Sequence, residues 1–132
     1  MVENKWYNDE KTIILQILTD NWTWDELILS NKTDIPNLMA TVNHEVHVIA
    51  SLEESPSLPS GSALLKGRDA ATGFPNNLGL LVIISPSKYV RVLVDMVSSI
   101  AIINDERKLK SAETIDNALK IIHDFDETRI LD

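Results

Sequence analysis

VHVIASLEESPSLPSGSALL, residues 46–65, starts as an apolar run and then breaks into a loop. Val46-His47-Val48-Ile49-Ala50 reads as a central strand, since a strand covered on both faces is a nearly continuous apolar run. Ser55-Pro56-Ser57 and Leu58-Pro59-Ser60-Gly61-Ser62 are turn and loop chemistry. The chain then restarts as a short helix over Ser60–Ala71. In open α/β sheets, ligands gather where a strand hands over to a helix, so a functional site is expected here.

Towards the N-terminus, Lys5–Tyr7 and Thr12–Leu18 read as two strands joined by the polar turn Asn8-Asp9-Glu10. Thr23-Trp24-Asp25-Glu26 opens a helix: Thr23 caps it, and Glu26 three residues on completes a capping box. Trp24, Leu27, Ile28, Ile35, Leu38, Met39 and Val42 recur at helical spacing. Pro36 interrupts them, either kinking one helix or following a fresh start capped by Asp34. Towards the C-terminus, Leu80–Ser85 is the most apolar strand. A helix over Tyr89–Ala101, a short strand over Lys108–Ser111 and a helix over Thr114–Phe125 follow.

After the opening hairpin, strands and helices alternate, which implies right-handed parallel crossovers. The expected fold is α/β: a mixed four- to five-stranded sheet, antiparallel in its opening hairpin and parallel behind it, with helices mainly on one face. Val46–Ser51 and Leu80–Ser85 are expected side by side and parallel in its interior. No repeat or linker divides the 132 residues, so one domain over 1–132 is expected.

Twelve Lys and Arg against twenty Asp and Glu give a formal net charge of −8. Without a basic cluster, nucleic-acid binding is not expected. No apolar run approaches the ~20 residues of a membrane span. MVENKWYNDEKT is not built like a signal peptide. The chain has no cysteine, in keeping with a reducing compartment, and a cytoplasmic location is expected. Asn21-Trp22-Thr23 and Asn31-Lys32-Thr33 are glycosylation-like triplets read as chance.

The element order and three local phrases resemble the STAS superfamily, the fold of bacterial anti-sigma-factor antagonists, and most of all an uncharacterised bacterial branch described as STAS/SEC14-like. The phrases are Trp22-Thr23-Trp24-Asp25-Glu26, Val42-Asn43-His44-Glu45-Val46 and Pro75-Asn76-Asn77-Leu78-Gly79. The resemblance implies a non-catalytic interaction or regulatory module, homodimeric and without a cofactor. The alternative it implies is a SEC14-like binder of a small apolar, lipid-type ligand. It also implies a phosphoacceptor serine before the second helix. Ser60 precedes a glycine as that serine does, with Ser62 beside it, but the acid that normally precedes it is absent.

Several groups carry a functional and a plainer reading together. Phosphate on Ser60 or Ser62 would meet free helix amides; the plainer role is a helix cap. Ser87, Lys88 and Arg91 converge at a helix start as an anion-binding candidate, with Ser87 as a simple N-cap the alternative. Tyr89, Val92 and Met96 form a second apolar stripe beside Val90, Leu93, Val94, Val97 and Ala101, fit for a dimer or partner contact or for a neighbouring helix. Trp22 and Trp24 either pack or line a cavity beside the sheet. His44, His47 and His123 read as structural, and Glu53 and Glu54 as a solvated loop pair. No metal site and no catalytic group are expected.

Overall fold

The computed structural model describes residues 1–19, 21–55, 57–100 and 108–130. Five strands form a sheet in the order β1 (Val2–Trp6), β2 (Ile13–Leu18), β3 (Val46–Ser51), β4 (Leu78–Ile84) and β5 (Leu109–Ala112). β1 and β2 pair antiparallel and the other neighbours pair parallel. β3 and β4 thus lie side by side and parallel, as expected from their apolar runs.

Around the sheet stand α1 (Trp24–Lys32), α2 (Asp34–Met39), α3 (Ala63–Ala71), α4 (Lys88–Ile100) and α5 (Ile115–Ile130). The first four cover one face. Ile14, Val48 and Leu81 meet Ile35, Met39 and Val97 there, while Leu18 and Ala50 meet Trp24, Leu27 and Val90. Among the described residues, α5 alone covers the other, through Ala118 and Ile122 against Ile49, Leu80, Val82 and Ile84. All six residues of β3 are buried, which is why that strand carries no polar alternation.

The helix starts follow local chemistry. Thr23 Oγ1 accepts from the Glu26 N–H, and the Glu26 carboxylate accepts from the Thr23 N–H, completing the expected capping box. The pattern through Pro36 resolves as a fresh start, with Thr33 rather than Asp34 between the helices. Pro36 falls in the first turn of α2, where a backbone N–H has no intrahelical partner anyway. α3 begins at Ala63, later than Ser60, and Ser62 is its N-cap, its hydroxyl accepting from the Leu65 N–H at 3.5 Å. α5 runs five residues beyond Phe125.

β4 carries a bulge. Val46 faces Leu78 and Val48 faces Leu81, so Gly79 and Leu80 together oppose His47. The His47 ring lies against Gly79, and its Nδ1 accepts the Leu80 N–H at 2.9 Å. A side chain thereby takes up a backbone donor at the irregularity.

Candidate functional site: an apolar cavity beneath the first helix

Between the sheet and helices α1, α3 and α4 lies a cavity of about 670 Å3 of space free of atoms, its solvent-open mouth included. Small side chains leave this hollow. Ala50 forms part of the β3 floor, and Ala63, Gly67, Ala70 and Ala71 form the inner side of α3. Trp22, Trp24 and Leu27 close it from the α1 side, and Val90, Val94 and Val97 from α4. Leu52 and Leu58, which bracket the Ser/Pro loop, also line it. None of the described lining residues is charged.

The polar groups at this site are few and neutral. Gln16 points from β2 under α1 and is 1% exposed. Its amide nitrogen donates to Asn31 Oδ1 at 2.8 Å and Asn4 Oδ1 at 3.0 Å, with Ser30 Oγ at 3.3 Å. Asn31 Nδ2 donates to the Ala70 carbonyl at 2.8 Å. That bond fixes the Asn31 amide, so its oxygen faces Gln16 and Gln16 must present its nitrogen. Gln16 Oε1 then accepts from no described residue.

Trp22 and Trp24 meet edge to face, with ring centroids 5.1 Å apart at 78°. Trp24 Nε1 donates to the Pro59 carbonyl at 3.3 Å, tying the loop to α1. The Trp22 N–H is buried and has no partner among the described residues.

Gln16 and Asn31 were not singled out by sequence reasoning, yet both leave a mark. Gln16 is the one polar residue between Ile13 and Leu18. Asn31 stands four residues after Leu27, where the buried stripe of α1 calls for an apolar side chain. Buried polar groups in such places need partners.

The other expected site residues separate. Ser60 and Ser62 are both exposed, at the far side of the loop from Leu52. Ser87 caps α4, its hydroxyl accepting from the Val90 N–H at 3.4 Å. Arg91 Nη1 donates to the Ser85 carbonyl at 2.8 Å, and Lys88 is exposed. These contacts give Ser87 and Arg91 roles within the chain itself. Tyr89, Val92 and Met96 stand exposed along α4, at 67%, 46% and 47%. Glu53 and Glu54 are exposed, and His44 contacts the Lys11 carbonyl at 2.8 Å.

Glu45, His47 and Asp126 bring ligand-type atoms within 4.8 Å of one another. The ring of His47 argues against a metal there. Its Nδ1 lone pair takes the Leu80 N–H, so the neutral imidazole carries its proton on Nε2, which donates to Asp126 at 3.0 Å. No lone pair remains for a cation. Arg129 bonds Glu45 and stacks over Phe125, 4.9 Å from the ring centroid. The group ties α5 to the start of β3.

The chain matches no family model, no curated protein and no solved structure. Among the described residues, no helix is long and apolar enough to cross a membrane.

Proposed function

We propose that this chain is a non-catalytic binding protein for a small apolar molecule. The observation that supports the reading is the uncharged cavity between the sheet and helices α1, α3 and α4, walled by Trp22 and Trp24. Its apolar lining with few polar points is the usual make-up of ligand pockets. Filling it removes apolar ligand surface from water, the main favourable term at hand. The buried histidine has both ring nitrogens engaged, so it does not stand ready as a general base.

The test is binding of neutral apolar probes, naphthalene and α-methylstyrene, by native mass spectrometry and calorimetry. Wild type is expected to take up one equivalent. Ala50→Leu, which puts an isobutyl group into the cavity, is expected to lose at least tenfold in affinity while melting at the same temperature or higher, as cavity filling usually does. Absence of probe binding to wild type would sink the reading.

A second reading, the STAS-like interaction module, is supported by the exposed stripe of Tyr89, Val92 and Met96. The occupant proposed is a second copy. Lys88 stands at one end of the stripe and Asp95 beside its other end, so an antiparallel copy of α4 brings opposite charges near each other. Light scattering at high micromolar concentration should then report a dimer, and Tyr89→Ser combined with Met96→Ser a monomer. A monomeric wild type at that concentration rules it out.

A further inference from the structure

β1 ends the sheet on one side, and among the described residues no strand pairs with its outer edge. The Thr19 N–H donates to the Met1 carbonyl at 2.9 Å, and the Tyr7 N–H to the Ile13 carbonyl at 2.8 Å. Between those bonds Val2 faces Leu18 and Trp6 faces Ile14. The alternation of an antiparallel ladder therefore turns the N–H and C=O groups of Glu3 and Lys5 towards β2, and those of Val2, Asn4 and Trp6 outward. Such a row is a template for another strand, and natural edges are often blunted by a lysine or a proline. This edge carries Lys5, but Glu3 stands two residues before it on the same face. Both side chains are exposed, and neither forms an ion pair among the described residues.

Those two charges select a register. The outward groups belong to alternate residues, so an antiparallel second copy can place its two-fold axis at Glu3, at Asn4 or at Lys5. An axis at Glu3 sets Glu3 against the partner's Glu3, and an axis at Lys5 sets Lys5 against the partner's Lys5. Like charges directly opposite each other are destabilising. An axis at Asn4 sets Glu3 against the partner's Lys5 and Lys5 against the partner's Glu3, and it alone pairs β1 over its whole length. On the other face of the strand the same register sets half-buried Val2 against the partner's Trp6, an aromatic and β-branched pair of the favourable kind. The Asn4 amide does not interfere, because Ser30 and Gln16 hold it inside its own chain.

We propose that β1 is a self-recognition edge: a second copy of this chain adds its own β1 antiparallel about an axis at Asn4, joining the two sheets into one. This inference is independent of the cavity. A closed dimer uses one two-fold face, so the β1 edge competes with the α4 stripe.

The test is sedimentation velocity on the full chain from micromolar to millimolar concentration at low salt. Wild type is expected to dimerise. Glu3→Lys or Lys5→Glu turns both charge pairs into like pairs, and each variant is expected to dimerise about tenfold or more weakly, with its melting temperature little changed. Mixed in equal amounts, the two variants oppose lysines to glutamates at both pairs, and a heterodimer is expected at wild-type concentrations.

The register is read by cross-linking, since the chain has no cysteine of its own. Glu3 and the partner's Lys5 form a non-hydrogen-bonded pair, whose Cα atoms lie ~4.5 Å apart, within disulfide range. Glu3→Cys mixed with Lys5→Cys should form a disulfide heterodimer under mild oxidation about tenfold faster than either variant alone, because only the mixture places two thiols at one such pair. A wild type that stays monomeric throughout the range overturns the proposal. So does a dimer that survives both charge reversals, a mixture of the reversed chains that stays monomeric, or a wild-type dimer that Tyr89→Ser with Met96→Ser dissolves. Glu3→Cys joining to itself as fast as to Lys5→Cys overturns the register.

Discussion

Gly79→Ala is expected to lower the unfolding free energy by about 3–5 kcal/mol, combining overpacking with loss of a buried hydrogen bond. A β-carbon at Gly79 would fall on the Cε1 and Nδ1 atoms of His47 and 3.1 Å from Glu45 Cδ. A flexible surface side chain could step aside, but His47 is 3% exposed and held from both ends. Moving its ring breaks the bond from the Leu80 N–H and the bond to Asp126. The Leu80 N–H is then stranded at the bulge, with no ladder partner to fall back on. Urea titration checks the free energy, and a thermal melt should fall by roughly 10 °C or more. A loss under 1 kcal/mol would mean the ring relocates freely, contrary to the bonding described.

Asn31→Asp is expected to cost about 3–5 kcal/mol at neutral pH, the usual penalty of an uncompensated buried charge. The substitution keeps the shape and replaces an N–H donor by a carboxylate oxygen facing the Ala70 carbonyl. Burial and that carbonyl both favour the protonated acid, so the introduced carboxyl has a folded-state pKa above its unfolded value of about 3.9. The sign of the pH dependence follows from this. Below the unfolded pKa both states are protonated and the charge penalty is absent. As pH rises, the unfolded state ionises first and the penalty grows, levelling off once pH passes the folded pKa. The neutral acid can also donate to the Ala70 carbonyl while accepting from Gln16, restoring both bonds of the asparagine. The difference from wild type, measured by denaturation at matched pH, should therefore shrink towards pH 4 and widen towards pH 7. A difference independent of pH would show that Asn31 matters only through its shape.

How much of this was legible in the sequence depends on how far apart the cooperating residues lie. β3 could be read because burial on both faces leaves only apolar choices along Val46–Ala50. The start of α1 could be read because a capping box needs residues three apart and nothing else. The start of α3 falls three residues later than the expected Ser60, in a serine-rich loop where Ser60 and Ser62 offer the same cap chemistry and only Ser62 carries the contact. Helix α5 was ended at Phe125 because the apolar stripe stops there. The helix continues as Asp126 and Arg129 bond to His47 and Glu45, 79 and 84 residues away, and no local pattern encodes that.

The cavity was half legible. Trp22 and Trp24 stand out in the sequence as wall candidates, whereas the small residues of α3 carry no local mark of a hollow. A hollow is a difference between volumes brought together from β3, α1, α3 and α4, so no single segment records it. The Gln16–Asn31 pair is the instructive miss, because each residue breaks its own element's apolar pattern. Two such breaks, one in a strand and one in a helix, are what a buried amide pair leaves in a sequence.

One face of the sheet depends on a single helix for its cover, and this bears on synthesis. While a ribosome is still adding residues before 115, Ile49, Leu80, Val82 and Ile84 have no roof, although every strand but β5 can already pair. The nascent sheet presents an oily plane to water or to a chaperone until α5 emerges. Slowing elongation just ahead of Ile115 should lengthen that interval and raise the share of newly made chains lost to aggregation.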